Sequence, residues 1–423
     1  MKSPSLFKYP IFRHVLPLVS GTAIAQIILI LFQLILRQLN LFSPEVFGTY
    51  SVYIGLAGVV IILSTLRYEF AIVLPKEDRI SNSLVAGGIL ISFSINLIIL
   101  ILICIFKDQI SYLLNFPREF SYWLYLLPLT AFIYSIYQLF DYWLTRKAAF
   151  KSIAINKVTR RSAEGIIQTT FGLFASNIGL VIGDIIGNTA NICSGIYQSR
   201  KHGFTLKNVS FKKIKFSLKR YDNFPKFQSL PAVLNTCSFL LPIFFINKFY
   251  SQEITGYYDL SRQVLAIPIA LITASLSQVL LKNLSSKIHE KKPVTKIILQ
   301  TALWLTICIL PFILILILWG DYIFGFIFSD IWKESGYYSA LMAPAFAIQF
   351  IVTPLAISLT ALQKLKPFAI WQICYFGLIL SMVFFNNLLI KDFLLLYTSF
   401  NLFTYTILFF IIMSICRKYD KTL

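Results

Sequence analysis

Nine charged side chains stand inside, or at the ends of, segments that are otherwise apolar: Arg37, Arg67, Glu69, Asp141, Glu164, Asp184, Lys248, Asp259 and Arg262. A charge at the centre of a membrane helix costs about 2.5–3.5 kcal/mol on insertion scales, so such residues face a partner or a polar path. The chemistry they offer is binding and gating. Arg37 and Lys248 end the first and the seventh apolar segments; facing each other across a cleft, two such cations suit a diphosphate, while the competing reading has both snorkelling outward. Asp259 and Arg262 are three residues apart on one helical face, so they either neutralise each other or leave Arg262 to meet substrate while Asp259 holds it. Asp184 stands among Gly179, Gly183 and Gly187, a small-residue face that lets another helix approach closely. Its carboxylate lies about 100° off that face and points to a cavity or to a partner helix. On this reading Arg37, Asp184, Lys248, Asp259 and Arg262 belong to the outer side and Arg67, Glu69, Asp141 and Glu164 to the inner side, with Arg67, Glu69, Asp141, Glu164, Asp184 and Asp259 the candidates for a gate or for ion coupling.

The stretch Leu66–Lys76, LRYEFAIVLPK, sets two of these charges where an apolar segment runs out. On a continuous helix Arg67 and Glu69 sit about 200° apart, which predicts that they do not pair with each other. Each then finds an interhelical partner at the mouth of a polar path, or serves as an anchor at the membrane interface.

The elements that must position these residues are membrane helices. The chain is 57% hydrophobic and 13% charged, with a mean hydropathy of +0.74, well outside the range of soluble globular proteins. Segments of about 20 apolar residues are predicted at 15–36, 46–66, 84–106, 121–141, 162–176, 178–198, 227–247, 256–281, 297–319, 338–362, 368–390 and 393–415. The fold class is therefore an all-α polytopic membrane protein with about twelve spans. The fifth span is short and carries Glu164. Lys2, Lys8 and Arg13 precede an apolar run that continues to Leu36, longer than a signal-peptide core, so an uncleaved first span is expected.

With the N-terminus inside, 31 of the 38 Lys and Arg fall in cytoplasmic segments and 6 in outer loops. That asymmetry predicts cytoplasmic N- and C-termini, and omitting the fifth span would carry the basic 282–296 segment to the outside. The net charge of +20 then belongs to the cytoplasmic face, where anionic inner-leaflet lipid is a sufficient partner and no nucleic acid is required. The most basic segment, 200–226, places Phe211, Ile214, Leu218 and Tyr221 at helical spacing among lysines. It reads as an amphipathic helix on the inner surface, linking an N-terminal six-helix bundle, 1–205, to a C-terminal one, 206–423. An internal repeat agrees with that division: SPEVFGTY from Ser43 and SQEITGYY from Ser251 share four of eight positions, and Leu16-Pro17 matches Leu230-Pro231.

Several chemistries lack their residues. The chain contains no phosphate-binding glycine loop and no long loop with clustered carboxylates, as an ATPase or a membrane polymerase or ligase would need. His14, His202 and His289 stand apart, and the six cysteines form no CxxC pair, so neither a metal site nor a disulfide frame is expected. The expectation is a non-enzyme without cofactor.

Twelve spans in a six-plus-six repeat, the SPEVFG start of the second span, LRYEFAIVLPK and GYYDLSRQVLAIPIALI at 256–272 together resemble the polysaccharide-biosynthesis flippases of the O-antigen type, a branch of the multidrug/oligosaccharidyl-lipid/polysaccharide (MOP) exporter superfamily. That resemblance implies a fold like that of the MATE multidrug exporters, two six-helix bundles around a central cavity. It also implies movement of undecaprenyl-diphosphate-linked oligosaccharide across the bacterial inner membrane by alternating access. By the same resemblance, cavity cations (Arg37, Lys248, Arg262) would bind the diphosphate, and carboxylates would couple transport to a proton or sodium gradient. Polysaccharide assembly proteins would be the partners. A drug or cation exporter of the same fold is the alternative, with a membrane polymerase or ligase behind it.

Overall fold

The computed structural model describes residues 10–207 and 209–423, and every regular element among them is helical. In chain order these are α1 (Pro10–Gln38), α2 (Pro44–Thr65), α3 (Tyr68–Ala71), α4 (Asp78–Leu114), α5 (Leu127–Arg146), α6 (Phe150–Leu173), α7 (Gly179–Lys201) and α8 (Phe211–Arg220). There follow α9 (Asn223–Phe249), α10 (Gln252–His289), α11 (Thr295–Phe328), α12 (Lys333–Leu355), α13 (Ile357–Ala361), α14 (Leu365–Ser381) and α15 (Ile390–Asp420). Nine stretches among the described residues are long and apolar enough to cross a membrane. The long helices outside that set are α6, α7 and α10, and they carry Glu164, Asp184, Asp259 and Arg262. Charge lowers their mean hydropathy, so packing has to supply what lipid contact does not.

The repeated sequence builds the same helix start twice. Ser43 caps α2 by accepting from the Val46 amide at 3.4 Å, and Ser251 caps α10 by accepting from the Ile254 amide at 3.1 Å. Each cap satisfies an N–H that the helix itself leaves open, an effect worth about 1 kcal/mol. Two long helices also break alike: α4 at Phe106 and α11 at Trp319, where the backbone leaves helical geometry.

By packing, the described residues form one compact unit up to Thr236 and another from Cys237 to Leu423. In the first, α3 is buried against α4 and α5, with Tyr68, Ala71 and Ile72 in one core with Leu84, Val85, Leu139, Trp143 and Leu144. Asp78 at the start of α4 closes this region by pairing with Arg146 at 3.1 Å and Lys147 at 2.5 Å, while Arg146 also donates to the carbonyls of Pro75 and Lys76. The basic segment forms α8 as expected, but its apolar face lies on protein. Ile214 and Leu218 cover Gly87 of α4, where a Cβ would meet them at 3.1 and 3.0 Å, and Tyr68 donates to the Leu218 carbonyl at 3.0 Å. Phe211 and Phe216 stay exposed.

In the second unit α11 and α12 approach so closely that a Cβ on Gly320 would lie 2.8 Å from the Gly336 carbonyl oxygen. Only residues without side chains permit such a crossing.

Candidate functional site

Two polar cores are built inside otherwise apolar packing, one in each unit. In the first unit the glycine face of α7 draws α6 in: a Cβ on Gly187 would lie 2.7 Å from Glu164 Cβ and 3.0 Å from the Arg160 carbonyl. This approach gathers four charges. Arg161 Nη1 donates to Glu164 at 2.8 and 3.1 Å, Arg160 lies 3.9 Å from Glu164, and Arg160 Nη2 lies 3.6 Å from Asp184. Asn188 donates to Asp184 Oδ1 at 3.1 Å, and the Arg160 guanidinium sits over the rings of Tyr134 and Tyr137, 5.1 and 5.5 Å from their centroids. Two cations balance two carboxylates, and low dielectric makes each contact count. Asp141 stands one turn beyond Tyr137 on α5. Its Oδ1 is buried and has no hydrogen-bond partner among the described residues; the cations acting on it are Lys157 and Arg160.

This core corrects two expectations. The helix that carries Glu164 starts at Phe150, not near 162, so Lys157, Arg160 and Arg161 lie on it and not in a loop. Glu164 is consequently about 21 Å along a helix rising 1.5 Å per residue, and it shares Arg160 with Asp184 instead of standing on the opposite side of the membrane. The signal was in the sequence: arginines three and four residues before a glutamate form the spacing that pairs on a helix.

Arg67 and Glu69 pair with each other, Nη1 to Oε1 at 3.4 Å, against the expectation from helical spacing. The helix premise fails because Leu66 and Arg67 are both left-handed, with φ of 48° and 63°. Non-glycine residues adopt that conformation at roughly 1–2 kcal/mol each, and the double turn swings Arg67 back toward Glu69 and over the Phe70 ring. Glu69 is only 1% exposed. Burial raises its carboxyl above the ordinary 4.5, and Arg67 offsets part of that rise.

In the second unit Asp259 and Arg262 neutralise each other along α10 at 2.9 Å, and Gln263 donates to the other Asp259 oxygen at 2.6 Å. Arg262 keeps 30% of its side chain exposed. The rest of this core is uncharged: Asn401 Oδ1 accepts from Gln349 at 2.9 Å and from Tyr375 at 3.0 Å, and Asn401 Nδ2 donates to the Tyr397 carbonyl at 2.7 Å. Nothing in the sequence singles out Gln349, Tyr375 or Asn401, because a lone amide or phenol in a span carries no spacing signature.

Arg37 ends α1 fully buried, hydrogen-bonded to Gln33 and stacked over the Phe47 ring with Cζ 4.0 Å from its centroid. Lys248, at the end of α9, is half-buried.

The polysaccharide biosynthesis protein family matches residues 40–336, more than half of the chain and inclusive of both cores' charged helices. This chain belongs to the polysaccharide biosynthesis protein family. Solved structures similar to it share the whole architecture. An inward-facing multidrug resistance MATE family transporter of the MOP superfamily aligns with a TM-score of 0.66 at 13% identity, covering 97% of this chain and 96% of that one. The lipid II flippase MurJ in an inward closed conformation aligns with a TM-score of 0.71 at 14% identity, covering 95% and 89%. A MOP superfamily transporter from Pyrococcus furiosus aligns with a TM-score of 0.58 at 14% identity, covering 97% and 96%. The fold of this family member is thus MATE-like. No curated protein matches the chain in sequence.

Proposed function

We propose that this protein flips an undecaprenyl-diphosphate-linked oligosaccharide across the bacterial inner membrane by alternating access, for surface polysaccharide of the O-antigen or capsule type. The observation that carries the reading is the combination of a polysaccharide biosynthesis family match over 40–336 with a fold shared with a lipid II flippase. A diphosphate does not cross hydrocarbon unaided, because desolvating an unpaired anion is far too costly. Arg37, Lys248 and Arg262 supply the cationic path. Arg262 is the best prepared of the three, since Asp259 orients its guanidinium and the side chain as a whole keeps 30% exposure. Glu69, Asp141, Glu164, Asp184 and Asp259, with Arg67, form the gating and coupling set, responding to a proton or sodium gradient. The chain divides into the six-helix bundles 1–205 and 206–423, with both termini cytoplasmic.

Neutralising Arg37, Lys248 and Arg262 together abolishes flipping of the polyprenyl-diphosphate sugar in proteoliposomes while protein level is kept; flipping at the wild-type rate makes the three cations anchors. Orientation is read separately by cysteine labelling. A cysteine replacing exposed Ser210 reacts only from the cytoplasm and one replacing exposed Asp108 only from outside, and the reverse pattern inverts the assignment. The MATE likeness favours a second reading, export of organic cations. Transport of a cationic dye with no flipping activity would select it.

A further inference from the structure

The second unit carries an amphipathic slot that none of the charges above explains. Between α14 and α15 runs a cavity of about 500 Å³, floored by Trp371 and Tyr375 and walled by Ile370, Phe403 and Ile407. The floor presents carbon only, because its polar atoms are turned inward. Trp371 Nε1 donates to the Thr404 carbonyl at 2.8 Å, and Tyr375 donates to Asn401 at 3.0 Å. The rings of Phe368, Trp371 and Tyr375 stack in series, with centroid spacings of 5.7 and 5.4 Å, which makes a stiff, flat shelf.

At Pro367 this groove continues into a second cavity of about 420 Å³ that is lined by Lys364 and Lys418. Both lysines are exposed, and neither forms an ion pair among the described residues. From Pro367 to Leu378 the apolar groove runs about 16 Å along the helix, which is half of a hydrocarbon core of about 30 Å. A cationic head end joined to an apolar trough one leaflet deep is complementary to a single lipid of one leaflet.

We propose that this slot binds an anionic phospholipid, its phosphate between Lys364 and Lys418 and one acyl chain along the Trp371–Tyr375 shelf. The leaflet is the cytoplasmic one, a detail that rests on the orientation proposed above; the site itself does not. A transport substrate with a much longer polyprenyl tail would overrun a trough of this depth.

The test is native mass spectrometry of the purified full-length protein from micelles holding equal amounts of phosphatidylglycerol and phosphatidylcholine. The wild type retains phosphatidylglycerol in preference by about thirty-fold, as two lysines near a headgroup provide. Lys364→Gln with Lys418→Gln removes the preference, and Cys374→Trp, which fills the groove from an exposed position, lowers retention while leaving the unfolding temperature in lipid-free detergent unchanged. Ile407→Trp, from the opposite wall, does the same. Unchanged phosphatidylglycerol retention in the double lysine variant overturns the site. So does a tryptophan-filled groove that binds as before, since the lysines would then act as bare surface charge. Displacement by undecaprenyl diphosphate at far lower concentration would make the slot a substrate port, and a dimer lost on filling the groove would make its occupant a second copy; either result overturns the assignment.

Discussion

The polar core of the first unit is ionic and that of the second is mostly neutral. Arg160, Arg161, Glu164 and Asp184 form a balanced cluster behind a glycine face, whereas Gln349, Tyr375 and Asn401 form a chain of amides and phenols beside the single pair Asp259–Arg262. Both satisfy buried groups, but they fail differently. Removing one member of an ionic cluster leaves a charge stranded in low dielectric, while removing one member of a neutral chain strands a dipole. The first unit is thus the more sensitive to the identity of each residue.

The strongest way to break this comparison is Arg160→Met, which leaves Glu164 and Asp184 with Arg161 alone. It lowers stability by about 3–5 kcal/mol, read as loss of the monodisperse peak on heating and size exclusion. Adding Asp184→Leu recovers a large part; if it does not, the two residues are not coupled as their geometry implies. Next, Gly187→Ala forces a methyl against Glu164 and the Arg160 carbonyl and costs about 1–3 kcal/mol by overpacking, measured by the same assay. Asn401→Ala in the neutral core strands the Gln349 amide and the Tyr375 hydroxyl and costs about 1–2 kcal/mol. Its effect is independent of salt, in contrast with a surface pair.

The smallest effect concerns Glu69. Its carboxyl is held above the ordinary value by burial, so the folded state keeps the proton longer than the unfolded chain does. The stability linked to Glu69 is fully present below the unfolded value and is lost as pH rises through the folded one. Glu69→Gln removes that dependence. The difference in unfolding temperature, wild type minus variant, therefore falls from pH about 4 to about 7, and a rising difference would mean that Arg67 outweighs burial.

Most of the fold was legible because hydropathy and helix caps are local. The Ser43 and Ser251 starts, the ends of α1 and α9 at Arg37 and Lys248, and the glycine face of α7 follow from residues a few positions apart. Two things were not legible. Helix α6 hides its beginning, because hydropathy reads Lys157, Arg160 and Arg161 as loop when tertiary partners pay for their burial. The turn at Leu66–Arg67 was missed because neither residue favours left-handed backbone; packing of Tyr68 and Ile72 into the core imposes it. The neutral network around Asn401 needs three helices to converge, which no spacing within one of them foretells.

The contact between Gly320 and Gly336 also has a mechanical side. Where a carbonyl of one backbone fills the space of the missing Cβ on the other, no rotamer stands ready for a second packing, and α11 has nothing to slide over. Its last turns, 320–328, must travel with α12 as a single strut. The residue just before the clamp is Trp319, where α11 leaves helical geometry, so the helix breaks next to the place where it is clamped. The strut and its elbow are adjacent: the clamped tip keeps its register through backbone contact, while the long arm 295–318 is held to α12 by side chains, Leu305 and Ile309 packing against Phe350.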